Sequence, residues 1–166
     1  MKRPISFSLM LLAAGCATPN VTKLVPVPDS IKAADNESLA LVVPAKGVQI
    51  YECRGEKWAF VAPDADLFDA GGKPIGRHYA GPHWESADGS KVVASVKSRA
   101  DAPAANAIPW LLLSAKSVGG EGAFSKVTSI QRVATAGGVA PAGGCSQAGT
   151  QARVQYTADY YFFVTK

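Results

Sequence analysis

Hydrophobic and polar residues alternate most regularly at the C-terminal end of the chain. One set of alternate positions is apolar or aromatic and comprises Val154, Tyr156, Ala158, Tyr160, Phe162 and Val164. The positions between them carry Arg153, Gln155, Thr157, Asp159 and Thr165. Because side chains along a β-strand point alternately to its two faces, this pattern predicts a strand with one buried face.

Shorter apolar or alternating runs precede this strand, and turn residues divide them. The runs are residues 39–43, 47–53, 57–62, 91–97, 108–113 and 127–135. Pro44 and Gly47 are predicted to separate the first two, and Asp88-Gly89 predicts a hairpin turn. In the run after that turn, Val92, Ala94 and Val96 are predicted to share one face. The pattern predicts an all-β fold, a single-domain antiparallel β-sandwich or barrel.

One run leaves helix and strand both possible. Phe124, Val127, Ile130 and Val133 recur at every third residue, a spacing compatible with either element. The β-branched content of residues 127–135 favours a strand.

Composition and charge agree with a folded domain. The chain has 166 residues, of which 48% are hydrophobic and 18% charged. Its formal charge of +4 falls to +2 once Lys2 and Arg3 are removed with the N-terminal segment described next. The basic residues are few and scattered, so nucleic acid is not an expected partner.

The N-terminus has the pattern of an export signal. Residues 1–15 combine a basic start, an apolar run and a small-residue cleavage site, which predicts a signal peptide. The segment ending at Cys16 resembles the lipobox of bacterial lipoproteins, in which that cysteine is lipidated. An ordinary secretory signal is the alternative. We expect a lipid anchor in the cell envelope, in the outer membrane facing the periplasm, then a flexible tether over residues 16–36 and a β-rich domain over residues 37–166.

The other two cysteines are predicted to form a disulfide. Cys53 and Cys145 are the thiols left once Cys16 carries lipid, and exported proteins fold where thiols are oxidised. A reactive or metal-binding cysteine is the alternative. Neither residue lies in a C-x-x-C motif, which favours the bridge.

Candidate chemistry is concentrated in residues 75–85, which hold both histidines of the chain. The candidate binding residues are His78, Tyr79, His83, Trp84 and Glu85. No motif here specifies a reaction, so no catalytic residue is assigned and no cofactor is predicted. The aromatic rings could instead stack on a planar ligand, while Trp110, Tyr156 and Tyr160 are predicted to be core residues.

A metal site is one alternative for this stretch. His83 and Glu85 share a strand face because their spacing is two, and His78 could join them only if Gly81-Pro82 bends the backbone. Such a trio would suit zinc. The competing interpretation of His78 is a structural hydrogen bond to a backbone carbonyl beside the bend.

Acid/base chemistry is a second alternative. Glu85 could act with Asp88 or His78 in a hydrolase. The Asp-Gly turn accounts better for Asp88, since its side chain readily caps that geometry. Arg132 and Asp159 are predicted to be solvated or paired charges on the sheet faces.

Five segments in register resemble the domain of unknown function 3455 family (DUF3455). They are residues 47–53, residues 78–85 with 88–90, residues 108–113, residues 131–141 with Cys145, and residues 156–162. The resemblance covers residues 26–166. It implies a secreted or lipid-anchored protein of the kind found in bacteria and fungi, without an established activity. An oxidoreductase name carried by some members finds no support here, because no G-x-G-x-x-G follows a strand.

Two function hypotheses follow. The first is a non-enzymatic, lipid-anchored envelope domain that presents residues 75–85 as a binding or contact surface. The alternative is a metal-dependent or acid/base hydrolase that uses His78, Glu85 and His83. The membrane, through the lipid on Cys16, is the expected partner in both.

Overall fold

The computed structural model describes residues 24–166, which form eight strands and one short 3-10 helix, Asp29–Ile31. The strands are β1 (Glu37–Arg54), β2 (Lys57–Phe68), β3 (Pro74–Tyr79), β4 (His83–Ser86), β5 (Lys91–Ala100), β6 (Trp110–Gly119), β7 (Val127–Gly137) and β8 (Gln151–Thr165). The helical alternative for residues 127–135 is therefore wrong. The predicted signal peptide and Cys16 lie outside the described residues.

The strands close into an antiparallel barrel. Each strand pairs with the next one in sequence, and β8 returns to pair with β1 from Glu37↔Thr165 to Glu52↔Gln151. This confirms the all-β prediction, and of the two expected architectures it is the barrel that forms. Closure removes the unpaired edge strands that an open sheet of this length would expose.

The two predicted strands at the start of the domain are one continuous strand. Pro44 does not interrupt β1, because pairing with β2 begins only at Ala45 and one side of the strand is still free at Pro44. Proline has no backbone N–H, and at this position its absence removes no hydrogen bond to a neighbouring strand on that side. Gly47 marks a close approach instead of a break, since a Cβ there would collide with Asp64 and Ala65 of β2.

Two layers of apolar side chains lie on opposite sides of the barrel wall. Alternation in β6 separates them: Leu111 and Leu113 belong to the interior cluster, and Trp110 and Leu112 to the outer one. The interior cluster includes the predicted core residues Tyr156 and Tyr160, and Trp110 is buried in the outer cluster. All three are core residues, as predicted.

The segment before β1 covers the outer cluster. Ile31 is fully buried there, and its carbonyl accepts a 2.7 Å hydrogen bond from Gln131 Nε2. The backbone carbonyl of Ser30 accepts a second one from Ser98 Oγ at 2.6 Å. Residues 24–36 fall within the range predicted as a tether, so this part of that range lies against the barrel wall. The chain turns there through the 3-10 helix Asp29–Ile31.

The predicted disulfide is present. Cys53 at the end of β1 is bonded to Cys145 in the loop between β7 and β8, with their Cα atoms 5.8 Å apart. The bridge joins residues separated by 92 positions. It ties the long loop to the end of the β1–β2 hairpin. Within residues 24–166, no helix is long and apolar enough to cross a membrane.

Candidate functional site

The hairpin of β3 and β4 divides the five predicted binding residues between the two faces of the barrel wall. His78 pairs with Trp84 in the register of this hairpin, and Tyr79 pairs with His83. His78 and Trp84 are buried inside the barrel. Tyr79, His83 and Glu85 lie on the other face. The five residues therefore form two separate groups.

The inner group is a stack of rings. The imidazole of His78 lies on the indole of Trp84 with ring centroids 4.0 Å apart, and Tyr160 meets both rings edge-on. His78 Nδ1 donates a 2.7 Å hydrogen bond to the carbonyl of His83, because a carbonyl can only accept. Burial lowers the pKa of His78 to about 3. His78 is thus a neutral imidazole with the backbone hydrogen bond that the structural interpretation predicts.

The outer group is a surface network. Tyr79 donates its hydroxyl proton to Glu85, and Lys91 Nζ lies 3.0 Å from the same carboxylate. These two contacts, with Tyr79 the larger cause, lower the pKa of Glu85. His83 stacks on Tyr79 with centroids 5.4 Å apart. A catalytic acid needs a raised pKa, so this carboxylate is poorly suited to donate a proton.

The three candidate metal ligands do not converge. His78 points into the barrel, while His83 and Glu85 share the outer face, as their spacing predicts. Among residues 24–166, no three side chains of the kinds that bind metal lie close enough to hold an ion. The turn at Gly81-Pro82 joins β3 to β4 without bringing His78 round to the other two.

Asp88 caps the Asp88-Gly89 turn, as the sequence predicts, and it also binds a backbone N–H in a second loop. Its Oδ1 accepts hydrogen bonds from the backbone N–H and the hydroxyl of Ser90, at 2.9 and 2.6 Å. Its Oδ2 accepts one from the N–H of Ala123 at 2.8 Å. These bonds hold the pKa of Asp88 well below its usual range. Asp88 therefore joins the β4–β5 turn to the loop before β7.

The inner group lines a cavity of about 160 Å³ inside the barrel. Each strand from β1 to β8 contributes a lining residue, in order Gln49, Phe60, His78, Trp84, Val96, Leu111, Arg132 and Tyr160. Gly81 and Pro82 also line it, so it reaches the surface beside the β3–β4 turn. Most of the wall is apolar, which suits a ligand that is mainly hydrocarbon.

Two β-bulges shape the mouth of this cavity. Pairing of β1 with β2 skips Val61, and pairing of β5 with β6 skips Lys97. Phe60, Val61 and Val96 line the cavity and are exposed. Val96 shares the inner face of β5 with Val92 and Ala94, as predicted, because it pairs with Leu113 of the interior cluster and lines the cavity. Bulges are common at barrel rims, where they redirect side chains.

Arg132 is the residue whose placement differs most from its prediction as a solvated or paired surface charge. It follows Ile130 by two positions on β7, so it faces the interior and lines the cavity. Its Nε and Nη2 donate to the carbonyl of Pro109 at 3.1 and 2.8 Å. Asp159 also differs, since it is half-buried and burial raises its pKa.

Gln49 is the other polar residue of the cavity that was not singled out. The sequence feature that could have identified both residues is their position on the inward-facing side of a strand. Arg132 shares the face of Ile130, and Gln49 shares that of Val43 and Ala45 on β1. A polar side chain at a position whose neighbours two residues away are buried is a candidate for a site inside a barrel.

Comparison with known proteins identifies a family for this chain. The family model described as protein of unknown function (DUF3455) matches residues 33–164, which is most of the chain. Neither the curated proteins nor the solved structures contain a significant match.

Proposed function

Because this chain belongs to the DUF3455 family, whose description names no function, we propose one from the geometry: the barrel binds a small apolar molecule without changing it chemically. The cavity beside the β3–β4 turn is the binding site. The observation that carries this proposal is a largely apolar cavity, lined by all eight strands, with exposed hydrophobic residues at its mouth.

The size of the cavity limits the ligand. An apolar cavity of about 150 Å³ in a folded protein binds benzene, and this one measures about 160 Å³. A ligand with one ring or a short branched chain therefore fits. The stacked His78 and Trp84 present a flat wall, which favours a planar ligand.

Two features favour binding over catalysis. The imidazole of His78 is held neutral and its Nδ1 proton is already donated to the His83 carbonyl. Glu85, the carboxylate of the hydrolase alternative, lies on the outer face in contact with Lys91. A general base and an acid would have to face the same bound molecule.

The predicted export signal and lipobox support a further part of the proposal, that this binding domain is located on the cell envelope. Lipidation of Cys16 would attach it to the outer membrane, facing the periplasm. In that position the barrel would meet small molecules in the periplasm.

Titration with small apolar probes tests the proposal. We use the full chain carrying Cys16→Ser, so that no attached acyl chain competes for the cavity; in cells this variant should also leave the membrane fraction. Toluene and indole are titrated while the indole N–H resonance of Trp84 is followed by NMR. Saturable shifts with dissociation constants in the micromolar to millimolar range are expected.

A matched pair of variants locates the site. Val96 lines the mouth and is 48% exposed, whereas Val118 is 47% exposed and lies outside the cavity. Val96→Trp should weaken binding at least about tenfold by filling the entrance, and Val118→Trp should leave it unchanged. Absence of saturable binding in the unblocked protein, or equal loss in both variants, would refute the proposal.

A further inference from the structure

The cavity contains an arginine that has no acidic partner. Arg132 lines the wall beside Tyr160, with which it pairs across β7 and β8. Within residues 24–166, no carboxylate lies within ion-pair distance of its guanidinium. Arg132 donates hydrogen bonds to the neutral carbonyl of Pro109. Its guanidinium also lies close enough to the Tyr160 hydroxyl to oppose the rise in pKa that burial causes there. Arg132 is half-buried, and charges that are removed from water are normally paired with an opposite charge, because desolvation is costly.

Two buried donors in the same cavity also lack partners. Gln49 is 2% exposed and Trp84 1% exposed, and neither Gln49 Nε2 nor Trp84 Nε1 has an acceptor among the described residues. Burial raises the pKa of the Tyr156 hydroxyl, and the nearby Gln49 amide opposes that rise without forming a hydrogen bond to it. Buried donors without an acceptor are rare in native proteins and call for an explanation.

The charge of the wall limits the charge of the ligand. Arg132 is the one cationic side chain among the lining residues, because His78 is neutral. A single guanidinium balances one negative charge, and its planar N–H groups match the two oxygens of a carboxylate. A phosphate carries nearly two charges at neutral pH and would remain partly uncompensated among the apolar side chains.

From the unpaired Arg132, the unpartnered donors and the apolar wall, we infer that the ligand is a small aromatic or branched monocarboxylate. This inference rests on the proposed function and adds the class of ligand. The carboxylate lies against Arg132 and the Gln49 amide, and the hydrocarbon part lies between the His78–Trp84 stack and Leu111 and Leu113.

A series of equal-sized probes tests the inference. Benzoate, benzamide and benzylamine share a ring and differ mainly in the charge of the substituent. Each is titrated into the full chain carrying Cys16→Ser, with the Trp84 indole resonance as readout. Benzoate should bind at least about tenfold more tightly than benzamide, since it adds charge-assisted hydrogen bonds, and benzylamine should bind more weakly than either.

Variants assign the preference to individual groups. Arg132→Gln should remove the preference for benzoate over benzamide while benzamide binding persists, which loss of the fold would not produce. Gln49→Met keeps the length of the side chain and removes the amide donor, so it should reduce the preference for benzoate several-fold. Arg132→Gln also removes the donor to the Pro109 carbonyl, which could prevent folding. In that case Gln49→Met provides a second test.

The outcomes separate this inference from the proposal beneath it. If benzoate and benzamide bind equally, or if the preference survives both variants, the carboxylate assignment is wrong while the binding cavity stands. If none of the probes, toluene and indole included, shows saturable binding, the proposed function itself fails. A benzoate preference lost in Arg132→Gln and weakened in Gln49→Met supports the assignment.

Discussion

His78 lies inside the barrel as a neutral imidazole, 3% exposed. Burial is the largest cause of its low pKa, about 3, and the positive charge of Arg132 acts in the same direction. The hydrogen bond to the His83 carbonyl opposes them by favouring the charged form. In the unfolded chain this histidine would titrate near its ordinary pKa of about 6.5. Folding therefore excludes a proton that the unfolded chain binds.

This exclusion predicts an acid-dependent loss of stability. Because the folded pKa lies below the unfolded one, the stabilisation is complete above about pH 6.5 and is lost as the pH falls towards 3. His78→Phe, which retains a flat ring against Trp84, should remove as much as about 3 kcal/mol of the difference in unfolding free energy between pH 7 and pH 4. Urea denaturation at a series of pH values measures it.

The second histidine is the control. His83 is partly exposed on the outer face, so His83→Asn should retain the steep pH dependence of the parent protein. An unchanged pH profile in His78→Phe would contradict the assignment of the titration to His78.

The contact between β1 and β2 depends on the absence of a side chain at Gly47. A Cβ at this position would collide with the backbone carbonyl of Asp64 and with Ala65 in the paired strand. Backbone atoms in a closed barrel cannot move aside without disturbing pairing on both sides of the strand. The glycine that looked like a strand breaker is a requirement for close packing of two strands.

Substitution at this glycine should be costly for the folded state. Gly47→Ala is expected to lower the free energy of unfolding by about 1–3 kcal/mol, the usual range for overpacking. Gly119 at the end of β6 is the matched control, since a Cβ there would meet no atom within 4 Å. Gly119→Ala should be nearly neutral by urea denaturation. Equal effects of the two substitutions would show that steric contact is not the cause.

The pairing of β1 with β8 closes the molecule as a whole. The bridge from Cys53 to Cys145 ties the loop between β7 and β8 to the end of β1. The bridge constrains a loop of 92 positions, so in the chain-entropy account it stabilises mainly by limiting the unfolded chain. The barrel core does not depend on the bridge for its contacts, because Cys145 lies in a loop outside the strands.

Removal of the bridge should weaken a barrel that still folds. The double variant Cys53→Ala, Cys145→Ala should lose about 4–5 kcal/mol of unfolding free energy, a value set by loop length. Reduction of the parent protein should give a similar loss, and reduction should have no effect on the variant. Urea denaturation followed by circular dichroism measures both. A loss below about 1 kcal/mol would contradict the long-loop account.

The sequence by itself determined the all-β class, the family, the disulfide, the Asp88-Gly89 turn and the inward face of β8. These properties depend on local signals: alternation with a period of two, turn residues, and the two cysteines that remain once Cys16 is set aside. The resemblance to DUF3455 agrees with the family match over residues 33–164. Two residues of the stretch from 75 to 85, His78 and Trp84, line the cavity.

Tertiary structure alone decided the barrel and the composition of the site. Closure depends on the pairing of β1 with β8, two strands at opposite ends of the described chain, and no local sequence pattern encodes that contact. The bulges at Val61 and Lys97, which shift strand register beside the hydrophobic mouth, were also not encoded in the local pattern. Arg132 and Gln49 joined His78 only because eight strands, distant in sequence, surround one interior. A periodic pattern tells which face of a strand is buried, but only the closed sheet brings those faces around the same space.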